Sequence, residues 1–184
     1  MKIEFIQVFD FDLNIAKRLN EVIEPLPNNW ICLTDQDTLK FDGFAQDVKE
    51  LIESGNITKK DLTGCMINRL NKNNKAVIKP LFDEKCINKH YGQALFSRRF
   101  HKQRVEETDI VAGACMIFHK ELFNAVGGFD ESKLYFDKDL SRKTLKNGGR
   151  LLLARGIYIF HLYRWGKKDP VSSIDHLKKQ KKGN

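Results

Sequence analysis

The stretch Trp30-Ile31-Cys32-Leu33-Thr34-Asp35-Gln36-Asp37-Thr38 decides how the rest of the chain is read. A short unbroken apolar run that ends in polar punctuation predicts a buried strand. Side chains two apart in an extended chain point to the same face, so Asp35 and Asp37 are expected to project together from the strand's carboxyl end. Ligands of open α/β sheets bind at that edge. Two adjacent carboxylates repel unless a proton or cation relieves them. Hard divalent ions such as Mg²⁺ or Mn²⁺ suit oxygen ligands and phosphates. The pair therefore reads either as a metal–diphosphate site or as a solvated turn, and what lies downstream has to separate the two.

Outward from this strand the pattern alternates. Ile3–Phe9 predicts a first strand and 10–14 a polar loop. Ile15, Leu19, Val22, Ile23 and Leu26 recur at helical spacing, with Asn14 as the expected cap and Pro25, Pro27 and the asparagines as the stop. Phe44, Val48, Leu51 and Ile52 mark a second helix, closed by Gly55. Leu62–Leu70 and Ala76–Phe82 predict two strands joined as a hairpin, and 83–108 a loop plus a helix. Val111–Phe118 predicts a strand, His119–Val126 a helix before Gly127-Gly128, Asp137–Asn147 another helix, and Leu151–Leu162 an extended segment. Strands alternating with helices predict an α/β fold, a mixed sheet flanked by helices. The expected organisation is a single domain over 1–174 and a basic tail over 175–184.

Composition bounds the partners. The chain has 184 residues and a formal net charge of +8, which favours an anionic partner: a nucleotide, a nucleic acid or an acidic membrane surface. Arg98–Arg104 and Lys178–Lys182 are basic but do not interleave aromatics in a nucleic-acid recognition pattern, so no specific nucleic-acid partner is expected. Cys32, Cys65, Cys86 and Cys115 form no CxxC pair and read as free thiols. Glu4 and Gln7 break the first apolar stretch, and Arg155 breaks the longest later one, so neither a signal peptide nor a membrane span is expected. The expected location is cytoplasmic, with peripheral contact to an anionic membrane left open.

The ordered set 14–20 (Asn14-Ile15-Ala16-Lys17-Arg18-Leu19-Asn20), Thr34-Asp35-Gln36-Asp37, Gly113-Ala114-Cys115, Gly127-Gly128-Phe129-Asp130, Asp137-Lys138-Asp139 and His161 resembles the family 2 glycosyltransferases with the GT-A fold. The resemblance runs from about residue 14 to 165. It implies transfer of a sugar, hexosyltransferase-like, from a nucleotide-sugar donor to a hydroxyl of a glycan or glycolipid, as in polysaccharide biosynthesis. It also implies a Mn²⁺ or Mg²⁺ cofactor, with Asp35, Asp37 and His161 as metal ligands; a histidine ligand favours Mn²⁺. Asn20, Gly113, Ala114 and Arg164 then belong to donor binding, Asp130 and Asp139 to the acceptor side. Asp137 is the implied catalytic base of an inverting displacement. Each position also has a structural reading: Gly113 and Ala114 as tight packing, Gly127-Gly128 as a helix stop, Asp137 as a helix cap, His161 as a core residue, Trp165 as packing. Phe136 stands where the family carries an acid before the base. Only 34 residues precede Asp35, room for one βα unit where the family has two, and Asp10 or Asp12 would have to serve at the nucleotide base. A non-catalytic relative that binds nucleotide or a partner is the alternative implied by these departures.

Overall fold

A computed structural model describes residues 1–7, 14–70, 74–133 and 135–162. The expected positions Asp10, Asp12, Arg164 and Trp165, and the basic tail, lie outside the described residues. The strands are β1 (Ile3–Gln7), β2 (Trp30–Thr34), β3 (Thr38–Leu39), β4 (Leu62–Ile67), β5 (Val105–Glu107), β6 (Cys115–His119) and β7 (Leu151–His161). The helices are α1 (Ile15–Ile23), α2 (Phe44–Glu53), α3 (Ile87–His101), α4 (Lys120–Ala125) and α5 (Phe136–Lys146). One mixed, open seven-stranded sheet runs in the order β1-β2-β6-β4-β7-β3, with β5 also pairing β7. This α/β arrangement is compatible with a Rossmann-like fold.

The pairings fix the directions. β1 and β2 are parallel, β6 is antiparallel to both β2 and β4, and β4 is parallel to β7. Hence β1, β2, β4 and β7 all end at the same edge of the sheet, where β6 begins. The side-chain alternation of a strand divides the core accordingly. Ile31, Leu33, Met116 and Phe118 meet α1, α4 and α5 through Leu19, Ile23, Leu122 and Leu140. Trp30, Cys32, Ile117 and Ile67 meet α2 and α3 through Val48, Leu51 and Ala94. Because both faces are covered, all of β2, β4 and β6 is buried, which explains the continuous apolar runs. Cys32, Cys65 and Cys115 lie in this core as free thiols, and Cys86 is exposed.

Several boundaries differ from the sequence reading. Ala76–Phe82 is not the second strand of a hairpin: Val77 makes a single parallel bridge to Ile67, and Lys79–Leu81 turns as a 3₁₀ helix. Pro80 accounts for this, since it has no N–H for a ladder but suits the first turn of a helix. The strand expected from Val111 begins only at Cys115, because the preceding residues turn through the Cys115 N–H to Ala112 carbonyl bond. Asn14 precedes α1 without a side-chain cap bond. The segment 83–108 resolves into α3 and β5, the latter an antiparallel edge on β7. Among the described residues no helix is long and apolar enough to cross a membrane.

Candidate metal centre at the carboxyl edge of the sheet

The polypeptide leaves β2 at Thr34, turns through Asp35–Asp37 and immediately pairs as β3 with the end of β7. In that pairing Thr38 stands opposite His161, so Asp37 is delivered beside the histidine even though 123 residues of sequence lie between the two. The Leu162 N–H donates to the Asp37 carbonyl at 2.8 Å and closes the pairing. One ligand atom from each of Asp35, Asp37 and His161 falls within 4.8 Å of the others.

The turn is braced by Ala114 and by residues to which the motif gave no role. The Asp35 N–H donates to the Ala114 carbonyl at 3.1 Å, tying the turn to the segment before β6. The Asp35 carbonyl accepts from Thr38 Oγ1 at 2.7 Å and from Gln7 Nε2 at 2.9 Å. Lys40 Nζ in turn donates to Gln7 Oε1 at 2.7 Å and to Thr34 Oγ1 at 3.2 Å. Asn68, just past β4, accepts the His161 N–H at 2.7 Å through Oδ1. Gln7 was visible in the sequence as a polar residue in an apolar strand; its register opposite Thr34 is what gives it this task.

The electrostatics of the three side chains suit a cation. His161 Nδ1 lies 2.8 Å from the Arg69 carbonyl, which can only accept, so Nδ1 carries the proton. The ring's other nitrogen, Nε2, then presents its lone pair to Asp37 Oδ1 at 3.1 Å. A lone pair set against a carboxylate oxygen is relieved by a proton on Nε2 or by a metal ion accepting electrons from both. A histidine whose other nitrogen donates to a backbone carbonyl is the usual supporting arrangement of a metal ligand. Burial, and next the neighbouring Asp37 charge, push the Asp35 carboxyl above the usual carboxylate range; Asp137 adds to that push. The donor set of two carboxylates and an imidazole fits Mn²⁺ or a similar borderline ion.

Asp137 opens α5 beside this cluster. Its Oδ2 accepts the Gly113 N–H at 3.2 Å and its Oδ1 the Lys138 N–H at 2.8 Å. Burial nonetheless raises its carboxyl above the usual range. A side chain at Gly113 would press on Phe136 at 3.1 Å and on Asp137 Cβ at 3.5 Å, so the glycine lets the start of α5 approach the sheet edge. Ile15, Leu19, Leu33, Thr34, Asp35, Gly113 and Phe136 line a small pocket at this place.

Three other expected residues are engaged elsewhere. Asn20, assigned by resemblance to donor binding, clamps the turn after α4: Oδ1 accepts the Phe129 N–H at 2.9 Å, and Nδ2 donates to the Phe129 carbonyl at 2.9 Å and to Glu131 Oε1 at 3.1 Å. Gly127 and Gly128 both take positive φ, +73° and +67°, and a side chain at Gly128 would collide with Asn20 Oδ1, so the helix-stop reading of these glycines holds. Asp130 Oδ1 accepts from Ser132 N and Oγ at 3.0 and 2.6 Å, bonds that hold its carboxyl below the usual range. Asp139 is buried and ion-paired with Arg142 and, at 3.1 Å, with Lys143 on its own helix. The structure thus brings together Asp35, Asp37, His161, Asp137, Gly113 and Ala114, while Asn20, Asp130 and Asp139 build the α4–α5 side. No protein-family model matches the chain, and no curated protein matches it.

Proposed function

We propose that this chain is a metal-dependent glycosyltransferase of the GT-A type, moving a sugar from a nucleotide-sugar donor to a hydroxyl of a glycan or glycolipid. The observation that carries the proposal is the convergence of Asp35, Asp37 and His161 within 4.8 Å at the carboxyl edge, with the Asp137 carboxylate near enough to raise the Asp35 pKa. Asp35, Asp37 and His161 would hold a divalent ion, which when bound neutralises charge on a departing diphosphate. Asp137 is the base. Burial favours its proton-bound form, so it gains affinity for the proton that an acceptor hydroxyl must lose as it attacks. The Gly113 and Lys138 N–H groups fix the direction of that carboxylate.

A second reading rests on the same two bonds. Phe136 precedes Asp137 where the resembled family has an acid, and both Asp137 oxygens already accept a backbone N–H. A protein that binds a nucleotide and metal without transfer fits this arrangement too. The discriminating experiment is Asp137→Asn, which preserves shape and removes basicity. Turnover on a glycan acceptor is expected to fall about 10²-fold or more while metal and donor binding stay within about twofold. Full activity in Asp137→Asn would remove the base from this position. Metal and nucleotide binding by the unaltered protein with no transfer to any acceptor would favour the second reading.

A further inference from the structure

The helix α3 (Ile87–His101) presents apolar side chains on sides that the sheet does not cover. His90, Ala94 and Ser97 are its buried residues. His90 anchors it, bonded to the Tyr158 hydroxyl at 2.7 Å and the Glu84 carbonyl at 3.0 Å, and Arg98 ties it to α2 through Asp47 at 2.7 Å. A helix lying on a sheet should turn polar residues to water. Here Tyr91 and Leu95 on one flank, and Phe96 and Phe100 on the other, are exposed, Phe96 by 49% and Phe100 by 60%. The two phenylalanine rings sit 4.7 Å apart and form one apolar knob, and the Arg99 guanidinium lies over the Phe100 ring. At 3.6 residues per turn Asn88, Gly92 and Arg99 fall between the flanks and Lys89 beside the two phenylalanines, so the outer surface mixes large apolar side chains with cations, Arg99 at its crest.

Charge indicates what this surface meets. From Lys85 through Val105 the chain has six Lys and Arg residues and no Asp or Glu. Arg98 is held by Asp47, and Lys85 and Arg99 have no acidic partner among the described residues; Lys89, Lys102 and Arg104 pair with Glu84, Glu50 and Glu106. Those are exposed pairs of the kind that contributes little and exchanges readily for another anion. Aromatic and leucine side chains flanked by arginine and lysine are the chemistry of a helix lying in the boundary of an anionic bilayer, with rings among the acyl chains and cations at the phosphates. A protein partner with no excess of acid would leave Lys85 and Arg99 uncompensated.

We infer that α3 is a membrane-docking helix that seats Leu95, Phe96 and Phe100 in the interface of an anionic lipid bilayer, with Arg99 at the headgroup phosphates. The inference is independent of the proposed transferase activity. Its test is flotation of the full chain with vesicles of phosphatidylcholine alone or with about one third phosphatidylglycerol. The expected result is binding to the anionic vesicles only, weakened at about 0.5 M salt. Phe96→Ser/Phe100→Ser leaves every charge in place and should weaken binding at least about tenfold. Both residues are exposed, so the variant's thermal melting should match the unaltered protein. Arg99→Glu should weaken binding in the same direction. Vesicle binding unchanged in Phe96→Ser/Phe100→Ser would overturn the assignment, since charge elsewhere would then be sufficient. So would absence of binding to anionic vesicles, or sedimentation showing a dimer that the double variant disrupts, which would give the surface to a second copy of the chain.

Discussion

The strands β4 and β7 run parallel between two carboxylate sites of opposite character. At their beginnings, Asp61 is buried but surrounded by donors. Its Oδ2 accepts from Arg150 Nη2 at 2.7 Å and from Thr58 N and Oγ1 at 2.8 and 2.9 Å, and its Oδ1 accepts the Arg150 N–H at 3.0 Å. Burial pushes the Asp61 carboxyl up, yet Arg150 and Thr58 together hold it below the usual range. At the other end, Asp35 and Asp37 meet each other and a histidine, and the Asp35 carboxyl is raised. The residue type is the same and so is the sheet; only the supply of counter-charge differs. A carboxylate with its partners built in locks two strands in register, here Leu62 opposite Leu151. Carboxylates left facing one another could take a cation, and raised carboxyl pKa values of this kind are common at functional sites.

Substitution should separate the two ends most sharply at Asp61. Asp61→Ala removes the partner of Arg150 and the brace of Thr58, and it should destabilise the protein by about 3 kcal/mol in urea unfolding. A loss under about 1 kcal/mol would put the structural end on the same footing as the other. Next in size is Asn20→Ala, which strips the hydrogen bonds from the turn at Phe129. About 1–2 kcal/mol should be lost, with no change in Mn²⁺ affinity; a metal-affinity change would return Asn20 to the binding site.

The smallest effect has the opposite sign. Asp35→Asn should raise stability at neutral pH in the metal-free protein, by less than either loss above, because a carboxyl whose folded pKa is raised opposes folding once ionised. That gain should disappear as pH falls through the raised pKa of Asp35 toward the unfolded value near about 3.9. The Asp61 contribution runs the other way: present above the unfolded value and lost as acid takes pH below it, through the lowered folded pKa. Urea melts of the unaltered protein, Asp35→Asn and Asp61→Ala across pH 3–7 would display both slopes. Parallel slopes would erase the distinction between the ends.

Much of this was legible in the sequence, for identifiable reasons. Strand β2 announced itself because both of its faces are buried, and the Asp-x-Asp spacing followed directly from the two-residue period of an extended chain. Helices α1 and α2 showed in their apolar spacing. Helix α3 was harder because apolar residues lie on its outer flanks as well as its buried side, which blurs the periodicity. Strand β3, two residues long, leaves no pattern at all, yet it is the pairing that brings Asp37 to His161. Gln7, Lys40, Asn68 and Arg69 were out of reach for a related reason. Their contributions are hydrogen bonds across strand neighbours, two of them through backbone carbonyls, and register is invisible before the sheet order is known.

The central claim is that the carboxyl edge of the sheet is a divalent-metal site, and a Mn²⁺ titration read by thermal unfolding tests it directly. Saturating Mn²⁺ should stabilise the unaltered protein, by about 2.7 kcal/mol when the free ion reaches 100 times its dissociation constant. Asp37→Ala should abolish the shift, whereas Asn20→Ala, at the α4 turn, should retain it. No shift in the unaltered protein, or the same shift in Asp37→Ala, would contradict the account.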